Sequence, residues 1–336
     1  LCQILDHRLL KISKKYKLDY TRYADDLTFS TNNSNFLELK DQFLHEIQKE
    51  ISHAGFKINE KKTRLLYKDS RQTVTGLVVN KKLNVTQEYF RTTKAMAHSL
   101  YTKGEFAIDG QPGTIEQLEG RFSFINQLDW YNNKIDHQTH EISTLSGRER
   151  EYRRFLFYKY FYGNHVPIIV TEGKTDVRYL KSALKSLYKE YPKLITKKED
   201  GQFIFKISFF KRTKRMQYFL DIRLDGADTM QNIYKYFVDG TPREKKRYPN
   251  YFSYFSKTGR YPLMPVLLLF DHELESSRPL KKFLTEYKYT KEQIKELQNN
   301  LYLKLQENGN VYLLTNPLVD GEKKFFLNMY RLIMKK

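Results

Sequence analysis

The stretch that decides the fold of the N-terminal region is Tyr20-Thr-Arg-Tyr-Ala-Asp-Asp-Leu-Thr-Phe-Ser30. Short runs of β-forming residues lie on both sides of Ala24-Asp25-Asp26, which predicts an antiparallel hairpin with two carboxylates near its tip. Adjacent carboxylates repel each other unless a cation neutralises them, and a stiff hairpin is a suitable support for a divalent metal ion. Asp25 and Asp26 are therefore candidate metal ligands, and a solvated Asp-Asp turn is the alternative.

The segments around this hairpin are predicted from their apolar periodicity. Residues 1–17 predict an amphipathic helix, and a second helix begins after Ser34 or Asn35 and ends at Gly55. The residues expected to face inward from the second helix are Phe36, Phe43, Ile47 and Ile51. The regions expected further along are extended segments at 56–67 and 73–85, the latter with a hairpin around Asn80-Lys81-Lys82, and helices near 87–103, 114–132 and 147–162.

The pattern changes near Asn164 to short apolar runs that alternate with helices. The runs 167–170, 265–270 and 311–314 are typical of buried strands, so a parallel α/β sheet is expected. Glu172 follows the first run, and Asp271 and Glu273 follow the second. Since residues i and i+2 of an extended segment share a face, Asp271 and Glu273 are expected to point together toward Glu172. Three carboxylates suit Mg²⁺ or Mn²⁺ better than zinc. A helix-stabilising Glu172 and solvated loop acids are the alternative.

Composition limits the class of protein. The 336 residues carry 59 Lys+Arg against 39 Asp+Glu, a net charge of +20, with 26 Tyr and 23 Phe, which favours a nucleic-acid partner. The single cysteine, the lack of a signal-peptide pattern and the lack of an apolar run of ~18 residues lead us to expect a cytosolic protein without a membrane span. The chain begins with Leu1 rather than Met, so we expect a piece of a longer polypeptide.

Three blocks of the chain, taken together and in this order, resemble the retron branch of bacterial reverse transcriptases. They are Arg22-Tyr-Ala-Asp-Asp-Leu-Thr-Phe-Ser30, Gly55-Phe-Lys-Ile-Asn-Glu-Lys-Lys-Thr-Arg64 and Gln72-Thr-Val-Thr-Gly-Leu-Val-Val-Asn80. The resemblance implies an α+β fold: part of a right-hand polymerase palm at 1–86, then a helical thumb and connector at 87–163.

This resemblance also implies roles for individual residues. Asp25 and Asp26 are catalytic aspartates that bind metal, and Gly76 with Leu77 belongs to a primer-grip-like hairpin. The basic residues expected along the nucleic acid are Lys61, Lys62, Arg64 and, on the thumb helix, Arg91 and Lys94; a solvated basic face is the alternative for each. The third aspartate of such a polymerase is expected before Leu1, so residues 1–336 alone are expected to lack polymerase activity.

Two further motifs, Val170-Thr-Glu-Gly-Lys-Thr-Asp176 and Leu269-Phe-Asp-His-Glu273, together resemble a Toprim domain. The resemblance implies an α/β domain with a parallel sheet at 164–336. It also implies a separate metal-binding catalytic site formed by Glu172, Asp271 and Glu273, with Lys174 near a phosphate and Asp176 supporting the site. Glu273 departs from the usual Asp-x-Asp pattern by one methylene, which shifts or weakens the metal geometry.

Together the resemblances imply an RNA-directed DNA polymerase of the bacterial cytoplasm that uses Mg²⁺ or Mn²⁺. Such a nucleotidyltransferase copies a structured non-coding RNA into cDNA from dNTPs and takes part in defence against phage. The alternative is a Toprim-type, Mg²⁺-dependent nuclease in which the palm remnant only docks RNA. A third, non-enzymatic interpretation is an RNA-binding platform. The oligomeric state is left open.

Overall fold

The chain has helices and strands in a mixed α/β fold that divides into two units. The computed structural model describes residues 2–136, 142–173, 175–224, 228–274, 278–307 and 309–316. The first unit comprises the residues up to Phe90 together with Leu128–Asn132, and the second comprises Arg91–Gln127 and the residues from Asn133 onward. Within the described ranges no helix is both long and apolar enough to cross a membrane. The predicted division of the chain at residues 87 and 164 stays a prediction.

The first unit is built around two helices whose apolar faces form its core. Its elements are α1 (Cys2–Lys15), β1 (Asp19–Tyr23), β2 (Asp26–Ser30), α2 (Phe36–His53), β3 (Thr73–Val74) and β4 (Leu77–Val78). Three of the four inward residues predicted for α2 are buried, namely Phe43, Ile47 and Ile51, and Phe36 is partly buried against the same core. Gly55 takes a left-handed φ of 81° two residues after α2 ends, and the Phe56 N–H donates to the Ile51 carbonyl at 3.0 Å. The glycine therefore ends the helix as expected.

Helix α1 also holds the β1–β2 hairpin by a buried face and a charged contact. Tyr20 stacks on Phe29 across the hairpin, with ring centroids 5.0 Å apart, and both pack against the core. Arg22 Nε and Nη2 each donate to a different carboxylate oxygen of Asp6 at 2.7 Å, and Tyr20 Oη donates to Asp6 Oδ1 at 2.7 Å. The hydrogen bonds from Arg22, followed by that from Tyr20, lower the pKa of Asp6 to about 2.

The segment between α2 and β3 differs from the predicted extended conformation. The structure, which describes every residue of 56–67, assigns no strand there, and residues 61–70 are all exposed. Further on, the chain turns twice. Thr75 and Gly76, with φ of 46° and 83°, form the tight β3–β4 turn. The predicted turn around Asn80-Lys81-Lys82 is confirmed, because Val78 and Asn84 pair through two backbone hydrogen bonds.

The second unit combines a helical part with a five-stranded sheet. Its helices are α3 (Gln87–Lys103), α4 (Ile115–Ile135), α5 (Gly147–Phe157), α6 (Asp176–Ser186), α7 (Lys214–Leu220), α8 (Asp228–Tyr234), α9 (Pro242–Arg247), α10 (Tyr251–Ser256), α11 (Pro279–Glu286) and α12 (Lys291–Asn300), with a 3₁₀ turn at Ile142–Thr144 and a π-helical turn at Tyr158–Tyr162. The part of α3 up to Phe90 and the part of α4 at Leu128–Asn132 belong to the first unit. Its strands are β5 (Ala107–Ile108), β6 (Gln111–Pro112), β7 (Ile168–Thr171), β8 (Ile195–Lys197), β9 (Phe203–Phe205), β10 (Ser208–Phe209), β11 (Val266–Phe270), β12 (Tyr302–Lys304) and β13 (Val311–Thr315).

The sheet has the strand order β10-β7-β11-β13-β12, and its first four strands are parallel. The predicted parallel α/β arrangement is confirmed, with β12 as an antiparallel edge strand. All five residues of β11 are buried: Leu268 faces one hydrophobic cluster, whereas Leu267 and Leu269 face the other. Because both faces of the sheet are covered, the central strand reads as a continuous apolar run.

Many of the Tyr and Phe side chains of the chain are buried in the core of this unit. Phe157 contacts the rings of Tyr236, Phe237 and Tyr251 at centroid distances of 5.1–5.8 Å. Arg153 is buried among them, where its Nε donates to Tyr251 Oη at 2.9 Å and its Nη1 donates to the Arg247 carbonyl at 3.1 Å. The helices predicted near 87–103, 114–132 and 147–162 are present, and each contributes residues to the core.

Asp6→Asn is expected to destabilise the first unit by about 1 kcal/mol at neutral pH, because a partly screened bidentate ion pair is lost. Since folding lowers the pKa of Asp6 from 3.8 to about 2, its contribution is complete above pH ~4 and disappears as the pH falls through 2. Urea unfolding between pH 6 and pH 2.5 measures the difference. Asp41→Asn, in a side chain that is 91% exposed, is the control. A difference between wild type and Asp6→Asn that stays constant to pH 2.5 would contradict the assignment.

Leu268→Ala is expected to lower the free energy of unfolding of the second unit by about 2–5 kcal/mol, because Leu268 is fully buried at the centre of the sheet. Ile204→Ala removes a side chain that is 43% exposed and is expected to cost less than about 0.5 kcal/mol. Denaturant unfolding followed by circular dichroism compares the two. Equal midpoints would show that β11 is not the core strand.

Candidate functional site

The two aspartates lie at the tip of the β1–β2 hairpin. Tyr23 pairs with Asp26, so Ala24 and Asp25 form a two-residue turn and Asp26 begins β2. Ala24 has a left-handed φ of 53°, which costs an L-residue roughly 1 kcal/mol. Arg22 Nη1 donates to the Ala24 carbonyl at 2.8 Å. The guanidinium that binds Asp6 therefore also holds the strained turn that carries Asp25.

The side chains of the hairpin divide between its two faces. Arg22 and Leu27 pair across the strands on the face that packs toward α1 and α2. Asp26 and its partner Tyr23 belong to the opposite, exposed face, since neighbouring positions alternate. Asp25 in the turn is exposed as well. The fold thus presents both carboxylates to solvent on a support that is packed on one side only.

The donor chemistry of this tip fits one part of a divalent metal site. Carboxylate oxygens are the ligands that Mg²⁺ and Mn²⁺ prefer, and Asp25 and Asp26 supply two of them. In the ranges that the structure describes, no group of three or more His, Cys, Asp or Glu side chains stands together as a possible metal site. The metal-binding role of the pair stays a prediction.

The predicted nucleic-acid residues have different surroundings. Lys61, Lys62 and Arg64 are exposed and form no ion pair with any described residue. Arg91 is exposed on α3, whereas Lys94 Nζ lies 3.4 Å from Glu151 Oε1 and so has an acidic partner. Lys174 lies outside the described residues. The structure therefore leaves the first three side chains accessible to a phosphate, and their role stays a prediction.

Two of the three acids predicted at the C-terminal sheet come together. β7 and β11 are neighbouring parallel strands, so Glu172 and Asp271 follow their carboxyl ends on the same side of the sheet. Glu172 Oε2 accepts the Asp271 N–H at 3.2 Å. Partial burial raises the pKa of Glu172, and the nearby Asp271 carboxylate raises it further. Partial desolvation, followed by the Asp176 carboxylate, raises the pKa of Asp271.

Glu273 does not share a face of an extended segment with Asp271. The Glu273 N–H donates to the Asp271 carbonyl at 2.8 Å, which closes a tight turn at His272. The Glu273 carboxylate lies 3.3 Å from Arg278 Nε. The expected extended i, i+2 geometry was wrong because it assumed that the strand continues past Phe270, where β11 ends. The Glu273 carboxylate nevertheless lies near enough to contribute to the raised pKa of Glu172 and of Asp271.

Sequence reasoning missed three residues that position the two sites. Asn316 Nδ2 donates to Asp271 Oδ1 at 2.8 Å, and Arg212 donates to the Glu172 carbonyl at 2.9 Å. Asp6 holds the hairpin through Arg22. Asn316 was detectable in principle, because it directly follows a strand as the acids do. Asp6 lies in a helix and Arg212 in a loop. No local sequence pattern shows that either segment approaches its site. The expected supporting role of Asp176 has a geometric basis, since its Oδ2 accepts the Gly173 N–H at 2.7 Å.

Comparison with known proteins finds similarity to reverse transcriptases over part of the chain. The chain is 34% identical to the retron Mx162 reverse transcriptase of Myxococcus xanthus over 142 residues, which cover 38% of this chain and 29% of the relative. It is 39% identical to the retron Mx65 reverse transcriptase of Myxococcus xanthus over 95 residues, covering 28% of this chain and 21% of the relative. It is 33% identical to the retron Ec86 reverse transcriptase of Escherichia coli over 130 residues, covering 38% of each.

No family model matches the chain. The chain spans between about a fifth and two fifths of the length of these relatives. Over that part, it is similar to the reverse transcriptases of retrons.

Proposed function

We propose that this chain is part of an RNA-directed DNA polymerase of the retron type. The observation that carries the proposal is the exposed Asp25–Asp26 pair on a hairpin tip whose turn is held by Arg22 and Asp6. The partial similarity to three retron reverse transcriptases supports the same reading. The proposed reaction joins a dNTP to the 3′-hydroxyl of a growing cDNA on a structured RNA template.

Each part of the hairpin has a distinct task in this mechanism. Asp25 leads the metal coordination and Asp26 assists from the first position of β2. A divalent ion, Mg²⁺ or Mn²⁺, supplies activation of the 3′-hydroxyl and neutralisation of phosphate charge when it is bound. Arg22 is a positioning residue, because it holds the Ala24 carbonyl and thereby the direction of the turn. A hairpin packed against two helices limits the motion of the carboxylates. Nucleotidyl transfer requires such defined positions of the catalytic groups.

The exposed basic side chains before β3 fit the nucleic-acid part of this function. Lys61, Lys62 and Arg64 would contact the phosphates of the template–product duplex. Arg91 on α3 is proposed separately as a phosphate contact. The proposed setting is the bacterial cytoplasm, where the enzyme copies a cognate non-coding RNA in defence against phage.

Asp25→Ala combined with Asp26→Ala is expected to reduce RNA-templated DNA synthesis by the complete natural protein at least about 10³-fold, because both metal-binding oxygens of the hairpin are lost. Incorporation of labelled dNTPs in the presence of Mg²⁺ measures the rate. The matched control is Asp19→Ala, which removes an exposed carboxylate from the other end of the same hairpin and is expected to leave the rate unchanged. Full activity of the double variant, with RNA binding intact, would sink the proposal.

A second candidate function is Mg²⁺-dependent phosphodiester hydrolysis by a Toprim-like domain. It is favoured by one observation: Glu172 and Asp271 meet at the ends of neighbouring parallel strands, and each carboxyl has a raised pKa. In α/β sheets, ligands bind at the carboxyl ends of the strands. The two acids would hold the ion, and Asp176 and Asn316 would support the loops that carry them.

Glu172→Ala is expected to abolish any Mg²⁺-dependent cleavage of nucleic acid while leaving DNA synthesis unchanged, because Glu172 belongs to the second unit and not to the hairpin. Incubation of labelled RNA and DNA with each variant, with EDTA as the metal-free control, separates the two functions. Cleavage that persists in Glu172→Ala contradicts this assignment. If every variant retains both DNA synthesis and cleavage, the result favours the RNA-binding platform.

A further inference from the structure

We propose that the second unit carries a separate binding surface for single-stranded nucleic acid, formed by α6 and the β8–β9 hairpin. We call it the lysine–aromatic surface. Its members are Lys181, Lys185, Tyr188, Lys189, Lys197, Phe203, Phe205 and Phe209. The proposal goes beyond polymerase activity and does not depend on it.

The aromatic side chains of this surface form two ring pairs joined by β9. Tyr188 packs edge-on against Phe203 with centroids 5.6 Å apart, and Phe205 packs edge-on against Phe209 at 6.2 Å. Phe203 and Phe205 are two residues apart on β9, so they lie on the same face, about 7 Å apart along the strand. All four rings are partly exposed. The result is a line of rings that pack against the hydrophobic cluster beside the sheet and keep part of their surface exposed.

Lysine ammonium groups lie over these rings along the whole line. Lys181 Nζ is 5.3 Å from the Phe209 centroid and 5.8 Å from that of Phe205. Lys185 Nζ is 5.7 Å from the centroid of Phe203. At the other end, Lys197 lies over Phe203 and Tyr188 at 5.6 and 5.9 Å, and Lys189 lies over Tyr188 at 6.0 Å. These cation–π contacts fix the positions of four positive charges without neutralising them.

The charge of the surface remains available to a ligand. Residues 176–212 carry ten Lys+Arg against four Asp+Glu. Lys181, Lys185, Lys189 and Lys197 are exposed and form no ion pair with any described residue. Polyanions of regular spacing are the partners that a row of unpaired lysines attracts. The line of rings favours single strands, because unpaired bases stack on aromatic side chains and paired bases do not.

The fold explains why the charges face outward. Leu180 and Leu184 of α6 are buried against the sheet, with Ile169 of β7 and Leu267 of β11 in the same cluster. Lys181 and Lys185 follow each of these leucines by one position and are exposed. The α6 surface that carries them meets the β8–β9 hairpin through the aromatic rings. The rings of the surface thus pack against this core, while its lysines face solvent.

The test compares two triple variants that remove the same charge. Lys181→Gln with Lys185→Gln and Lys197→Gln alters the lysine–aromatic surface, whereas Lys282→Gln with Lys291→Gln and Lys295→Gln removes three exposed lysines of α11 and α12. The probe is a fluorescein-labelled 20-nucleotide oligo(U) or oligo(dT), and its affinity is measured by anisotropy from 50 to 300 mM NaCl. Paired RNA of the same length and vesicles rich in phosphatidylserine are tested beside it.

The first variant is expected to bind both oligonucleotides about tenfold more weakly than wild type, with a salt slope reduced by about 2, while the control variant binds within about twofold of wild type. Phe203→Leu, which keeps an apolar side chain, is expected to weaken binding about fivefold without changing the slope. The Asp25→Ala, Asp26→Ala variant is expected to bind like wild type, so failure of the polymerase proposal leaves this result untouched. Equal losses in the two triple variants, tighter binding of paired RNA, or binding of vesicles in place of oligonucleotides overturns the proposal.

Discussion

The parallel pairing of β7 with β11 is the constraint on which most of the second unit depends. Leu268 pairs with Val170 and is covered by one cluster, while Leu267 and Leu269 are covered by the other. Because both faces of these strands are apolar, helices must cover both, and α6 is one of those helices. The same pairing brings Glu172 beside Asp271 at the carboxyl ends of the two strands. The candidate acidic site and the lysine–aromatic surface are both consequences of how this sheet is buried.

In the first unit a single guanidinium has a comparable role. Arg22 binds the Asp6 carboxylate with two nitrogens and the Ala24 carbonyl with a third. It therefore links a helix to the turn that carries Asp25, and it compensates for the strained φ of Ala24. The planar fork of arginine suits this task, since three separate nitrogens donate to the two carboxylate oxygens and the carbonyl, whereas lysine donates from a single nitrogen. In the proposed polymerase mechanism a stiff turn matters, because two exposed carboxylates would hold a metal ion well only when their separation is defined.

The contacts divide the aromatic and basic residues of the chain into those that stabilise the fold and those that remain available for binding. Phe157 and Tyr236 belong to an aromatic core, which also encloses the buried Arg153. Lys94 is paired with Glu151. By contrast, Lys61 and Lys181 are exposed and form no ion pair with the residues that the structure describes. The 59 Lys+Arg side chains thus have different roles: some belong to ion pairs, and others remain exposed and available for phosphates.

The sequence by itself determined the local elements. The β1–β2 hairpin with Asp25 and Asp26 at its tip, the inward face of α2 and the buried strands β7, β11 and β13 all follow from periodicity and turn residues, which act over a few positions. Tertiary structure alone decided what these elements meet. The contact of Asp6 with Arg22, the turn that directs Glu273 toward Arg278, and the meeting of α6 lysines with β9 rings join residues far apart in the chain or depend on where a strand ends. Local patterns do not encode such contacts, because burial of the core selects them.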